Sequence, residues 1–184
     1  MKRIVLILLL MTLGISSLKA QNLAYRNDDI LVFSAGTDYL RESGSIGVAV
    51  EYEKEKATRN EKATIRLWVL SDNLKFGINQ GAKALIRTFS GTVIELIQKV
   101  DWPRQDSKYL GHLRGKAQNR YYVYPDYPIS MQDLLTLVNE GVQKVRLETS
   151  IGMKDYYYDT DVIGSTLKKE MDLILNKIDL DSDF

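Results

Sequence analysis

Two stretches of alternating side chains govern what this chain can become. From Ser45 to Glu53, Ile46, Val48, Val50 and Tyr52 point one way, and Gly47, Ala49, Glu51 and Glu53 the other. From Ala63 to Leu70 the pattern returns, with Ala63, Ile65, Leu67 and Val69 on one face. Period two places successive residues on opposite faces of a strand, so each stretch predicts a strand with one face in a core. Asp29 to Ser34 adds a short apolar run, Ile30-Leu31-Val32-Phe33. Ser71-Asp72-Asn73 and Asn79-Gln80-Gly81 read as turns on either side of the short Leu74–Ile78 piece.

Lys83 to Gln98 reads as a hairpin about Ser90-Gly91, because glycine there permits the positive φ of tight turns. A two-residue loop would pair Phe89 with Thr92, Arg87 with Ile94 and Leu85 with Leu96. Both faces would then be apolar, which predicts a central hairpin covered on both sides. Val100 to Gln118 has no useful period and reads as a long loop, of the kind that carries function. Asn119 to Tyr124 is a tyrosine-rich strand that Pro125 and Pro128 should end. Ser130 with Asp133 makes a helix start, and Gly141 a stop. Met131, Leu134, Leu135 and Val138 would line the buried side of that helix.

Val142 to Thr149 follows as a strand, with Val145 and Leu147 inward and Lys144, Arg146 and Glu148 outward. Tyr156-Tyr157-Tyr158 reads as a short edge strand. Ile163, Leu167, Met171, Ile174 and Ile178 recur at helical spacing and predict a packed helix over about 162–178, followed by an acidic end at Asp179–Phe184 that should fray. Strands, then helix, strand and helix predict one α+β domain over residues 21–184: a mainly antiparallel sheet with two helices. A small β-sandwich or open barrel with the helices at one end is the alternative.

Met1-Lys2-Arg3 precedes an apolar run over Ile4–Leu13 that only Thr12 interrupts, and then a short stretch ending in Ala20. That order predicts a signal peptide over residues 1–20, cleaved before Gln21, and a periplasmic or secreted product. As a helix the run rises only about 15 Å against a hydrocarbon core of roughly 30 Å, too little to remain as an anchor. No later segment is apolar enough to give the mature chain a transmembrane helix. The chain has no cysteine, which excludes a lipid anchor on cysteine, disulfides and cysteine-type zinc sites; one histidine excludes multi-histidine sites. The 25 basic and 24 acidic side chains become 22 and 24 once Lys2, Arg3 and Lys19 leave with the leader, a balance that argues against nucleic acid as partner. No sequence feature implies a cofactor.

His112 is the candidate general base. No Gly-x-Ser-x-Gly elbow accompanies it, and a solvated loop histidine is the competing reading. Residues 99–120 are basic and interleaved with aromatic rings. Trp102, Arg104, Tyr109, Arg114, Tyr121 and Tyr122 are the candidate binding residues, suited to an acidic glycan or a phosphate-bearing polymer by charge and stacking. An ordinary solvated loop competes with that reading. Tyrosines at 121, 122, 124 and 127 and at 156–158 suit partner contact or simple strand packing. Asp155, Asp159 and Asp161 are the candidate calcium ligands, and Asp179, Asp181 and Asp183 a poorer set without glycine or distal glutamate.

Several stretches together carry a resemblance: Leu18-Lys19-Ala20-Gln21, the Lys83–Leu96 hairpin, and Tyr127-Pro128-Ile129-Ser130 leading through a helix to Gly141-Val142-Gln143-Lys144-Val145-Arg146-Leu147-Glu148-Thr149. The chain resembles the small exported proteins of unknown function of the Bacteroidetes type. The resemblance implies a periplasmic or surface location and carries over no catalytic residue. The expectation is a non-catalytic binding or accessory module whose partner is an envelope protein or glycan. A small hydrolase acting on envelope polymers or peptides through His112 is the alternative.

Overall fold

The computed structural model describes residues 30–34, 46–55, 58, 60–71, 73, 75–99, 104–113 and 116–182. The leader, Trp102, Arg114, Asp183 and Phe184 lie outside the described residues. In chain order the strands are β1 (Ile30–Ser34), β2 (Ile46–Glu55), β3 (Glu61–Ser71), β4 (Lys83–Thr88), β5 (Val93–Ile97), β6 (Arg104–Leu113), β7 (Lys116–Tyr124) and β8 (Asp126–Ile129). Helix α1 (Met131–Glu140), strands β9 (Val142–Thr149) and β10 (Gly152–Tyr157), and helix α2 (Ile163–Ser182) complete them. They form two antiparallel sheets, not closed into a barrel. The larger runs β1-β2-β3-β7-β6, with β8 also on β3; the smaller runs β10-β9-β4-β5. This is the α+β class that the order of elements predicts.

Alternation sorts the faces. Ile46, Val48, Val50 and Tyr52 of β2 and Ala63, Ile65, Leu67 and Val69 of β3 are buried. They join Ile86, Leu147 and Leu167, from the smaller sheet and α2, in one apolar core. Strand β3 is the pivot of the larger sheet. One side pairs with β2 along most of its length, while the other takes β7 at Val69–Ser71 and β8 at Ala63–Arg66. The break between β7 and β8 is Pro125, whose carbonyl accepts the Leu67 N–H at 3.0 Å. Pro125 thus ends β7 at Tyr124, as expected, while Pro128 lies within β8. Pairing resumes because β8 has a strand on one side alone among the described residues, an edge where a missing N–H is tolerated.

The helix ends follow local chemistry. Ser130 Oγ accepts from the Asp133 N–H at 3.0 Å, and Gly141 leaves α1 with φ +67°. Leu134 and Leu137 are the buried residues of α1, while Leu135 is 47% exposed: the buried stripe is centred one position further round than the apolar spacing suggests. Ahead of α2, Asp161 Oδ1 accepts from the Gly164 N–H at 2.8 Å and from the Val142 N–H at 2.9 Å, tying the helix start to β9. Farther along, Glu170 Oε2 accepts the Val50 N–H at 2.7 Å and closes part of the β2 edge that β1 does not cover. The helix runs past Ile178 to Ser182, four residues beyond the expected end, and takes in Asp179 and Asp181.

Two expectations need correction. The 83–98 hairpin pairs Leu85 with Glu95 and Arg87 with Val93, one residue away from the two-residue-loop register. The Thr88 N–H bonds the Thr92 carbonyl across a wider turn. A one-residue slip reverses which side chains face inward. Ala84, Ile86, Ile94 and Leu96 are buried, whereas Val93 and Ile97 are 57% and 48% exposed. Strand β5 is an edge, so the hairpin is not central. The second correction concerns residues 100–118. In place of a loop, β6 and β7 pair from Arg104–Tyr124 to Leu113–Lys116. Beyond Tyr121 this ribbon outruns β3, and no third strand flanks it among the described residues. A two-stranded arm gives period-two patterning no sheet face to answer to, so the sequence there lacks a period.

Candidate functional site

Because β3 sends Ala63, Ile65, Leu67 and Val69 into the core, its outward side carries Lys62, Thr64, Arg66, Trp68 and Leu70. Gly47 lies directly opposite Trp68 on β2. A Cβ at position 47 would stand 2.9 Å from Trp68 Cε3 and 3.6 Å from Cδ2, so the indole lies across the glycine and the missing side chain makes room for it. Tyr124 meets Trp68 edge-on, with ring centroids 5.9 Å apart and planes at 83°. Tyr122 continues this face opposite Leu70, and Tyr121 lies opposite Ser71.

One step toward the other end of β3, Arg66 forms a two-pronged pair with Asp126 on β8: Nε donates to Oδ1 at 2.6 Å and Nη2 to Oδ2 at 2.8 Å. Glu51 Oε2 lies 3.9 Å from Nη2. The Asp126 hydrogen bond stabilises the guanidinium charge and outweighs the opposing effect of burial; Asp126 and Glu51 charges add to it. Next comes an open cleft of about 600 Å3 lined by Glu51, Glu53, Lys62, Thr64, Pro128 and Ser130 among others. Aromatic shelf, ionic fork and polar cleft thus follow one another along a single strand.

The anticipated residues meet this surface in part. The register sets Arg104 opposite Tyr124, Asp106 opposite Tyr122 and Ser107 opposite Tyr121. Tyr109 pairs with Asn119 and His112 with Ala117, out on the arm. Tyr124 belongs to the tyrosine group expected to serve contact or packing; Trp68, Arg66 and Asp126 were not anticipated. The signal for them was the alternation itself: a tryptophan and an arginine on the wet side of a strand are the informative exceptions to burial.

The suggested calcium ligands are not brought together as a set. Asp155 accepts from Arg146 Nε at 2.6 Å and Nη2 at 2.8 Å, and pairs with Lys144 Nζ at 2.8 Å. The Arg146 hydrogen bonds first, then Lys144, hold its carboxyl well below the usual carboxylate range. Asp161 is engaged at the start of α2. Among the described residues no group of three or more His, Asp or Glu side chains is placed to hold a metal ion. The tyrosines divide: Tyr127, Tyr156 and Tyr158 are buried, while Tyr157 is exposed with Lys144 Nζ 4.5 Å from its ring centre.

Fold and surface together define an α+β domain with two antiparallel sheets, the larger presenting an aromatic and ionic outer face. No protein-family model matches the chain, no curated protein matches its sequence, and no solved structure matches its fold.

Proposed function

We propose that the protein is a non-catalytic binding or accessory domain of the cell envelope, delivered to the periplasm or the cell exterior by the leader at residues 1–20. The outward face of the larger sheet, continued by the β6–β7 arm, is its contact surface. The observation that carries this reading is the alignment of Trp68, Tyr124 and the Arg66–Asp126 fork along one outward side of β3. Half-exposed rings beside a planar ionic pair supply stacking area and directional hydrogen bonding with little conformational entropy to lose. Placement in the envelope rests on the leader and on the resemblance to small exported proteins.

The test is a crosslinking pull-down from the native envelope with the wild type and with Trp68→Ala and Tyr122→Ala, each first shown to be folded. Recovery should fall with either variant. Equal recovery by all three would remove the outward face as the contact surface. In the same preparation, mass spectrometry of the native protein should find Gln21 as the first residue. A molecule still starting at Met1 would overturn the envelope assignment.

A further inference from the structure

We infer that the track along β3 binds an uncharged saccharide chain; this rests on the outward face being the contact surface. Three features select that ligand class. First, the shelf is built for a flat apolar face with polar edges. The indole lies across Gly47 and Tyr124 stands at 83° to it, forming a floor and a wall. A pyranose offers axial C–H groups to such rings and hydroxyls around its rim. The Arg66–Asp126 fork, two residues from Trp68, is a rigid planar set of donors and acceptors for those hydroxyls.

Second, the charge balance excludes the polyanion that the basic 99–120 stretch would suggest. Arg66, Lys62 and Lys99 face Asp126, Glu51, Glu53 and Glu61 along the track, and Arg66 is already committed to a carboxylate. No excess positive charge remains to replace the counterions of a uronate or phosphate polymer. Third, the track runs over the middle of the sheet. Strand β3 is hydrogen-bonded on both sides, to β2 and to β7 and β8. An extended peptide therefore finds no free backbone edge along it to add to as a strand. From Leu70 to Lys62 the outward residues span about 27 Å at ~3.4 Å per residue, and the polar cleft closes the far end. That length suits several linked sugars rather than a monosaccharide.

The experiment uses Trp102→Phe, which leaves Trp68 as the sole indole of the two in the chain. Its emission is followed during titration with linear oligomers of glucose and of N-acetylglucosamine, and with polygalacturonate. A saturable change with a neutral oligomer is expected, and none with polygalacturonate. Affinity should drop about tenfold with Tyr124→Ala, the loss of roughly one stacked ring. It should drop also with Asp126→Asn, which keeps the shape of the fork and alters its charge. Thermal melts of both variants separate loss of binding from loss of fold. The inference is overturned if neither neutral oligomer binds, if polygalacturonate binds instead, or if folded Tyr124→Ala and Asp126→Asn bind as the wild type does. If the titration fails while Trp68→Ala still lowers envelope recovery, the surface stands and only the saccharide assignment falls.

Discussion

Replacing Gly164 by alanine should weaken the fold, against what helix propensity alone predicts. Within a helix, alanine is favoured over glycine by about 1 kcal/mol. Here a Cβ would lie 2.7 Å from the Leu137 carbonyl oxygen and 2.7 Å from both carboxylate oxygens of Asp161. The first contact is backbone, where α1 and α2 meet, and it yields only if the helices separate. The second displaces a carboxylate that accepts from both Gly164 and Val142. Overpacking of this kind costs about 1–3 kcal/mol, and loss of one of the Asp161 hydrogen bonds about 1 kcal/mol more. After the propensity gain, the net loss is about 1–3 kcal/mol. For a chain of this size the melting midpoint should fall by about 3–10 °C, read by circular dichroism. In an Asp161→Ala background the penalty should shrink without vanishing, because the Leu137 carbonyl stays in place. An unchanged or raised midpoint for Gly164→Ala would refute this account of how the two helices approach.

Glu170→Ala should cost about 1–3 kcal/mol, because the buried Val50 N–H loses its acceptor; Val50 amide exchange should accelerate sharply, and an unaltered rate would count against the bond. Glu170→Gln keeps a carbonyl acceptor and should lose less. Asp155 has a depressed folded-state pKa, so its contribution is complete above the ordinary aspartate value of about 3.9 and declines as pH falls below it toward the folded value. Asp155→Asn should therefore lower the unfolding free energy at pH 6, read from urea melts, by roughly 0.5–1 kcal/mol, and narrow the gap to wild type at pH 3; a gap independent of pH would contradict the ion pairs. In the 83–98 hairpin, nuclear Overhauser contacts should join Leu85 to Glu95 and Arg87 to Val93, and contacts joining Arg87 to Ile94 would restore the tighter turn.

How much of this was legible in the sequence depends on how many registers a pattern allows. Strand β3 alternates so strictly that only one set of faces fits, and the structure buries Ala63, Ile65, Leu67 and Val69 as expected. The start of α1 was legible because an N-cap is a local event between Ser130 and Asp133. The 83–98 hairpin was ambiguous because apolar residues sit at both parities, Leu85 and Ile86 on one strand and Val93 and Ile94 on the other, so pattern alone does not choose the loop length. The packing of β4 on β9 decides it: Ile86 stands opposite Val145, and Ala84 opposite Leu147. The candidate site was half legible. Tyr121, Tyr122 and Arg104 stood out by composition, but Trp68 and Arg66 lie far earlier in the chain and join them only through the pairing of β3 with β7 and β8.

The placement of β3 also decides the order in which the domain becomes whole. Its first partner, β2, is a near neighbour in the chain, but its second side stays bare until Tyr121 to Ile129 have been made, and the exposed stretch of β2 waits longer still, for Glu170. A chain emerging from its N-terminus therefore holds an apolar strand with an open flank while half its length is still to come. Closures of such long loops make folding slow and leave time for mispairing. The last helix is thus the latch of the assembly: a chain cut short before Glu170 would retain every strand described, yet leave β2 without its final hydrogen-bonded cover.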